Sequence, residues 1–181
     1  QIIRFVLCGA SGVCCVSLGQ GLSIGAGLAA GLKLDENQSR VFVLMGDGEC
    51  QEGQVWEAAT FAAFKNLGNL IAVVDINGLQ IDGRVETVCA SGNLKDKFAA
   101  FGWETYEVDG HDMNALIELF STLKASETDQ PKLVIAHTIK GKGVSFMEDQ
   151  AGWHGKAPND EETKIALAEL EEQRARLNGV K

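Results

Sequence analysis

Short unbroken apolar runs alternate along the chain with longer stretches in which apolar residues recur every three or four positions. Residues 41–45 (VFVLM) and 70–75 (LIAVVD) are too short for helices, and each predicts a strand buried on both faces. Residues 133–137, entered from Pro131, predict a third such strand, and 104–108 a fourth. Between them, 54–65 predicts a helix with Val55, Ala59, Ala62 and Ala63 inward, and 94–101 a short one. Asp112 is placed to cap a helix bearing Met113, Leu116, Ile117, Phe120 and Leu123 at helical spacing. Residues 160–176 predict an acidic amphipathic helix with Ile165, Leu167, Leu170 and Leu177 apolar. Alternation of this kind implies an α/β fold: a doubly wound, mostly parallel sheet covered on both faces. Ligands of such sheets bind beyond the carboxyl ends of the strands, where Gly46-Asp47-Gly48 and Asp75-Ile76-Asn77-Gly78 lie.

Composition narrows the function classes. The chain has 181 residues, 45% hydrophobic and 23% charged, with only 2 Pro, as an ordinary folded domain has. A net charge of −9 lacks the basic footprint of phosphate-backbone binding, so no nucleic acid is expected as a partner. No charge lies between Arg4 and Lys33, yet glycines, serines and Gln20 interrupt that window, which reads as buried protein and not as a membrane span. Five cysteines form no CxxC pair and no zinc spacing, which predicts buried free thiols in a reducing, cytoplasmic compartment.

The glycines are clustered. GQGLSIGAGLAAG at 19–31 has the spacing Gly-x-Gly-x-x-x-Gly, one residue longer than the dinucleotide-binding fingerprint. A small-residue helix face packed against another backbone is the better reading.

Asp47 stands between two glycines at a strand end, where a carboxylate suits a hard cation and the glycines let phosphate oxygens approach the backbone. Alone, Gly-Asp-Gly is more often a simple turn. Asn77 follows about thirty residues later, after one helix and one strand, so both side chains emerge at the same sheet edge. One Asp, one Asn and a carbonyl match the few protein oxygens that Mg²⁺ takes alongside substrate phosphates.

That pair resembles the signature of thiamine diphosphate enzymes. Around it, LGQGLSIGAGLAAGLKL, GDGECQEGQVWEA, NGLQIDG, VDGHD, KGKGVSF and GWHGKAPND, in this order, resemble the amino-terminal, diphosphate-binding part of transketolases. The likeness runs from about Ser17 to Leu170, with 1–16 matching poorly and 17–181 forming the diphosphate-binding domain. It implies that Asp47, the Asn77 side-chain oxygen and the Leu79 carbonyl bind Mg²⁺. It implies further that Ser17 and Leu18 border thiamine diphosphate and that the Gly48 N–H meets the diphosphate. Lys140 and His154 would face the diphosphate and the reacting centre, His154 as a catalytic residue. Glu52 matches a glutamate at the interface between cofactor-binding halves.

Bland readings stand beside these. His137 ends a strand and reads as a satisfied core residue, His111 reads equally as a capping residue, and Lys140 and Lys142 as solvated charges, although their flanking glycines suggest a loop folded against a phosphate. Val16 replaces a glycine of the family's loop, and RFVLCGAS resembles a family segment RFVLSKGHA without its histidine; no histidine precedes His111.

The resemblance implies transfer of a two-carbon ketol unit between sugar phosphates. In the family, the glutamate that activates the cofactor lies in a separate pyrimidine-binding domain. The chain is therefore expected to be one subunit or fragment of a two-part homo- or hetero-oligomer. Three alternatives stay open: another thiamine diphosphate enzyme such as a deoxyxylulose-phosphate synthase, an inactive scaffold homologue, and an NAD-binding domain.

Overall fold

The computed structural model describes residues 4–7, as backbone only, and residues 18–179. In chain order the elements are β1 (Arg4–Leu7), α1 (Gln20–Leu34), β2 (Val41–Gly46), a 3-10 turn (Gly48–Gln51), α2 (Gly53–Phe64) and β3 (Leu70–Ile76). A small hairpin of β4 (Leu79–Gln80) and β5 (Gly83–Arg84) follows, then α3 (Val85–Cys89) and α4 (Leu94–Ala100). The chain continues through β6 (Glu104–Asp109), α5 (Met113–Ala125), β7 (Lys132–His137) and α6 (Asp160–Leu177).

Five strands form one parallel sheet in the order β1-β2-β3-β7-β6. The chain steps from β1 to β3, jumps to β6 at the far edge, then returns to β7. Right-handed crossovers make the outward steps cover one face and the return step the other. Thus α1, α2 and α4 bury Leu22, Ala26, Val55, Ala59 and Phe98 against Val43 and Met45 on one face. On the other, α5 presses Leu123 onto Ile71 and Val134, and Phe120 meets Phe42 edge to face. Because β3 and β7 are neighbours whose chains leave in different directions, their carboxyl ends border a crevice.

The strand and helix positions agree with the sequence pattern; several side chains do not. On α5, Asp112 does cap the helix, through the Asn114 and Ala115 N–H groups. Met113 and Ile117, however, are 65% and 61% exposed, and Leu119 packs in their place. The buried stripe is centred on Leu116, Leu119, Phe120 and Leu123, and its two outlying members fall over the edge. On α6 only Ala166 is buried, while Ile165, Leu167, Leu170 and Leu177 are exposed. Positions 165 and 167 are two apart and cannot share a helix face.

On the small-residue face of α1, Gly25 lies against side chains and not against another backbone. A Cβ at Gly25 would stand 2.3 Å from Val43 Cγ2, whereas Gly27 and Gly31 face open space. Among the described cysteines Cys50 is buried, but Cys89, at the end of the short α3, is exposed. No helix among the described residues is long and apolar enough to cross a membrane.

Candidate functional site

The end of β2 builds the first part of the site. The Asp47 N–H donates to the Asp75 carbonyl at 3.2 Å, carrying the ladder with β3 one step past Gly46. Asp47 then caps the 3-10 turn. Its Oδ1 accepts the Gly48 N–H at 2.8 Å and its Oδ2 the Gly78 N–H at 2.7 Å, although the residue is only 4% exposed. Burial pushes its pKa up, the Gly78 and Gly48 amides pull it back, and the charge of Asp75 adds to the rise. No cationic side chain among the described residues enters that balance. A buried carboxylate beside a second one, with hard oxygens and no positive partner, is chemically matched to a divalent cation.

The end of β3 supplies the second part. The Asn77 Nδ2 donates to Asp75 Oδ2 at 2.9 Å, and its Oδ1 accepts the Leu79 N–H at 3.0 Å. Thr138, just past β7, donates its hydroxyl to Asp75 Oδ1, and its own N–H bonds the Ile76 carbonyl at 3.1 Å. The donors expected for a metal (Asp47, Asn77 and the buried Leu79 of β4) therefore belong to two turns joined by the Asp47–Gly78 hydrogen bond.

Glu49 is a participant that the sequence pattern does not single out. Buried within the 3-10 turn, its carboxylate accepts the Gly19 N–H at 2.9 Å and the Gly46 N–H at 3.2 Å, tying the start of α1 to the Asp47 turn. A second acid directly after Gly-Asp-Gly was the available signal. Leu18 is 63% exposed and its carbonyl accepts Gln54 Nε2 at 2.8 Å; Ser17 lies outside the described residues. Glu52 is exposed at the amino end of α2, without a side-chain cap bond.

Beyond the β3 and β7 ends lies a groove of about 660 Å³ whose lining includes Asp75, Asn77, His111, Thr138, Lys140 and Lys142. Burial, and then the positive charge of Lys140, lower the His154 pKa, so these two residues act on each other. His154 itself is exposed, in a short loop after the 3-10 turn Ala151–Trp153. The glycines around Lys142 have an internal reason to be there. Gly141 has φ +71, and a Cβ there would stand 2.6 Å from the Met147 carbonyl oxygen, so only glycine fits the turn. Lys142 pairs with Glu148 at 3.6 Å.

Two histidine readings need correction. His137 is exposed and meets Glu107 at 3.2 Å, because β7 runs out at the sheet rim there and leaves the residue beyond the core. His111 caps no helix: Asp112 does that, while His111 Nε2 accepts the Ile139 N–H at 2.8 Å and fixes the loop leading to Lys140.

Comparison with known proteins gives the family. Residues 10–173 match the family described as the thiamine diphosphate binding domain of transketolase. The chain is 41% identical over 161 residues to one of the subunits of apulose-4-phosphate transketolase from Phocaeicola vulgatus, covering 89% of this chain and 57% of that one. It is 39% identical over 159 residues to the 6-deoxy-6-sulfo-D-fructose transketolase subunit SqwG of a Clostridium species, covering 88% and 58%. It thus spans little more than half the length of these relatives. A transketolase structure from Campylobacter jejuni superimposes with TM-score 0.78 at 31% identity, over 85% of this chain and 25% of that one.

Proposed function

Because the chain belongs to the transketolase family, by its thiamine diphosphate-binding domain, we propose that it is the diphosphate-binding half of a two-part enzyme moving a ketol unit between sugar phosphates. The observation that carries this reading is Asp47, a buried carboxylate held by two backbone N–H groups beside Asp75, with no cationic side chain among the described residues acting on it.

Asp47, the Asn77 oxygen and the Leu79 carbonyl would hold Mg²⁺, and that cation would hold the diphosphate. The Gly48 N–H and Lys140 would also meet the diphosphate, Ser17 and Leu18 would border the cofactor, and His154 would face the reacting carbon. Thiamine diphosphate, when bound, supplies the electron sink that a two-carbon transfer requires. The protein's part is to position and to polarise. Residues 17–181 form the diphosphate-binding unit, and Glu52 faces the partner half. The His154 pKa is lowered, by partial desolvation first and by Lys140 second, which favours the neutral ring that can accept a proton.

The names of the two relatives, each a subunit of a transketolase, support a pyrimidine-binding partner; apulose-4-phosphate, named for the first, supports a sugar phosphate as substrate, while the sugar named for the second carries a sulfonate and no phosphate. The cysteine pattern supports a cytoplasmic setting. The purified chain, saturated with thiamine diphosphate and Mg²⁺, should show no ketol transfer until a pyrimidine-binding subunit is added. The base that activates the cofactor must reach its ring, whereas Asp47, Glu49 and Asp75 are each engaged in hydrogen bonds and Glu52 is assigned to the interface. Robust turnover by the chain alone would contradict the two-part reading. Cofactor binding with no turnover in the partner's presence would favour the inactive scaffold.

A further inference from the structure

In the sequence Asp75 is no more than the end of a strand, yet in the structure it is the hub of three elements. Its Oδ2 accepts the Asn77 Nδ2–H at 2.9 Å, and its Oδ1 accepts the Thr138 hydroxyl. An ionised carboxylate can only accept hydrogen bonds, so it takes the NH₂ side of the Asn77 amide and rejects the flipped form. The Asn77 oxygen is thereby turned away from Asp75, to the side where the Leu79 N–H meets it at 3.0 Å. Thr138 holds Asp75 in turn. Its own N–H is fixed on the Ile76 carbonyl at 3.1 Å, so its hydroxyl is delivered from the rigid end of the β3–β7 ladder.

We infer that Asp75, oriented by Thr138, is a positioning residue that selects the oxygen-presenting rotamer of Asn77 for the divalent cation. The inference rests on the metal site proposed above and adds two residues to it. It also couples the Asn77 turn to the segment that carries Lys140, since Thr138 begins that segment. Partners behind a metal ligand that fix its orientation typically carry 10–100-fold in metal affinity when lost.

Three variants separate orientation from charge. Asp75→Glu keeps the negative charge but moves the acceptor, and Thr138→Val keeps Asp75 but removes its orienting hydroxyl. Thr138→Ser restores the hydroxyl. Two readouts on the full chain are needed. The first is the Asn77 side-chain amide signal in NMR without metal, whose protons should exchange slowly in the wild type and in Thr138→Ser. They should exchange faster in Asp75→Glu and Thr138→Val. The second is Mn²⁺ affinity in the presence of thiamine diphosphate, followed by electron paramagnetic resonance. It should fall about tenfold or more in Asp75→Glu and Thr138→Val, and stay near wild type in Thr138→Ser. Melting curves confirm that each variant is folded. Unchanged amide exchange and wild-type Mn²⁺ affinity in Asp75→Glu and Thr138→Val would overturn the positioning role and leave the metal site standing. A wild-type chain with a slow Asn77 amide that binds no Mn²⁺ would instead overturn the metal site itself.

Discussion

Asp47 and His154 are each held away from their ordinary protonation behaviour, in ways that predict measurable effects. Replacing Asp47 by Ala removes the carboxylate proposed to hold the cation, so Mg²⁺-dependent binding of thiamine diphosphate should vanish while the fold persists. Asn77→Ala should give a weaker loss, because a neutral oxygen contributes less than a carboxylate; equilibrium dialysis with radiolabelled cofactor checks both. Wild-type affinity in Asp47→Ala would refute the assignment. For His154, burial first and Lys140 second favour the neutral ring, so its NMR titration midpoint should lie below the ordinary 6.5. A histidine depressed on folding binds its proton more weakly in the folded state, so its contribution to stability is present above pH 6.5 and is lost on acidification. Lys140→Met should raise the midpoint without fully restoring it, since burial is the larger cause. Cys50, whose thiol is pushed up to about 12, should resist iodoacetamide at pH 8 while exposed Cys89 reacts, as peptide mapping would reveal. Asp47 and Asn77 were legible in the sequence because a strand end and a spacing identify them. Glu49, Asp75 and Thr138 stood out less, because the bonds that define them, Gly19 to Glu49 and Thr138 to Asp75, join residues far apart in the sequence.

At the scale of elements, α1 offers a paired test. The Cβ of Gly25→Ala would collide with Val43 on the buried face of β2, and overpacking of this kind costs about 1–3 kcal/mol. At Gly27 nothing lies within 4 Å, and alanine in mid-helix should gain about 0.5–1 kcal/mol. Urea unfolding should thus move in opposite directions for two substitutions half a turn apart. Equal effects would mean that α1 does not rest on β2 through Gly25. The apolar strands were legible because runs such as VFVLM have no other stable home. Burial on α5 and α6 was less so: helical spacing marks a stripe, and its edge depends on what the sheet presents. The β4–β5 hairpin and α3 leave no mark in the sequence pattern. They are two to five residues long and lie in a turn-rich stretch after Asn77, held by contacts with the Asp47 turn and not by periodicity.

For the whole molecule, the decisive feature is strand order. With β3 and β7 adjacent, the Asn77 turn and the Lys140 segment leave the sheet side by side and share one groove. Alternating strands and helices announced a parallel sheet, but the jump to β6 and return to β7 could not be read from a single sequence, because several orders satisfy the same alternation. The small-residue face of α1 suggests, from sequence, a surface for association. Gly21 and Gly25 are instead buried within the chain, so the two-part reading rests on Glu52, on the family, and on the engagement of the Asp47, Glu49 and Asp75 carboxylates in hydrogen bonds of their own. Isothermal titration of thiamine diphosphate into the chain, with and without Mg²⁺ and with and without a pyrimidine-binding subunit, tests that reading most directly. Binding should require Mg²⁺ and tighten when the partner is present; heat that is independent of Mg²⁺, or no binding even with the partner and the cation, would contradict it.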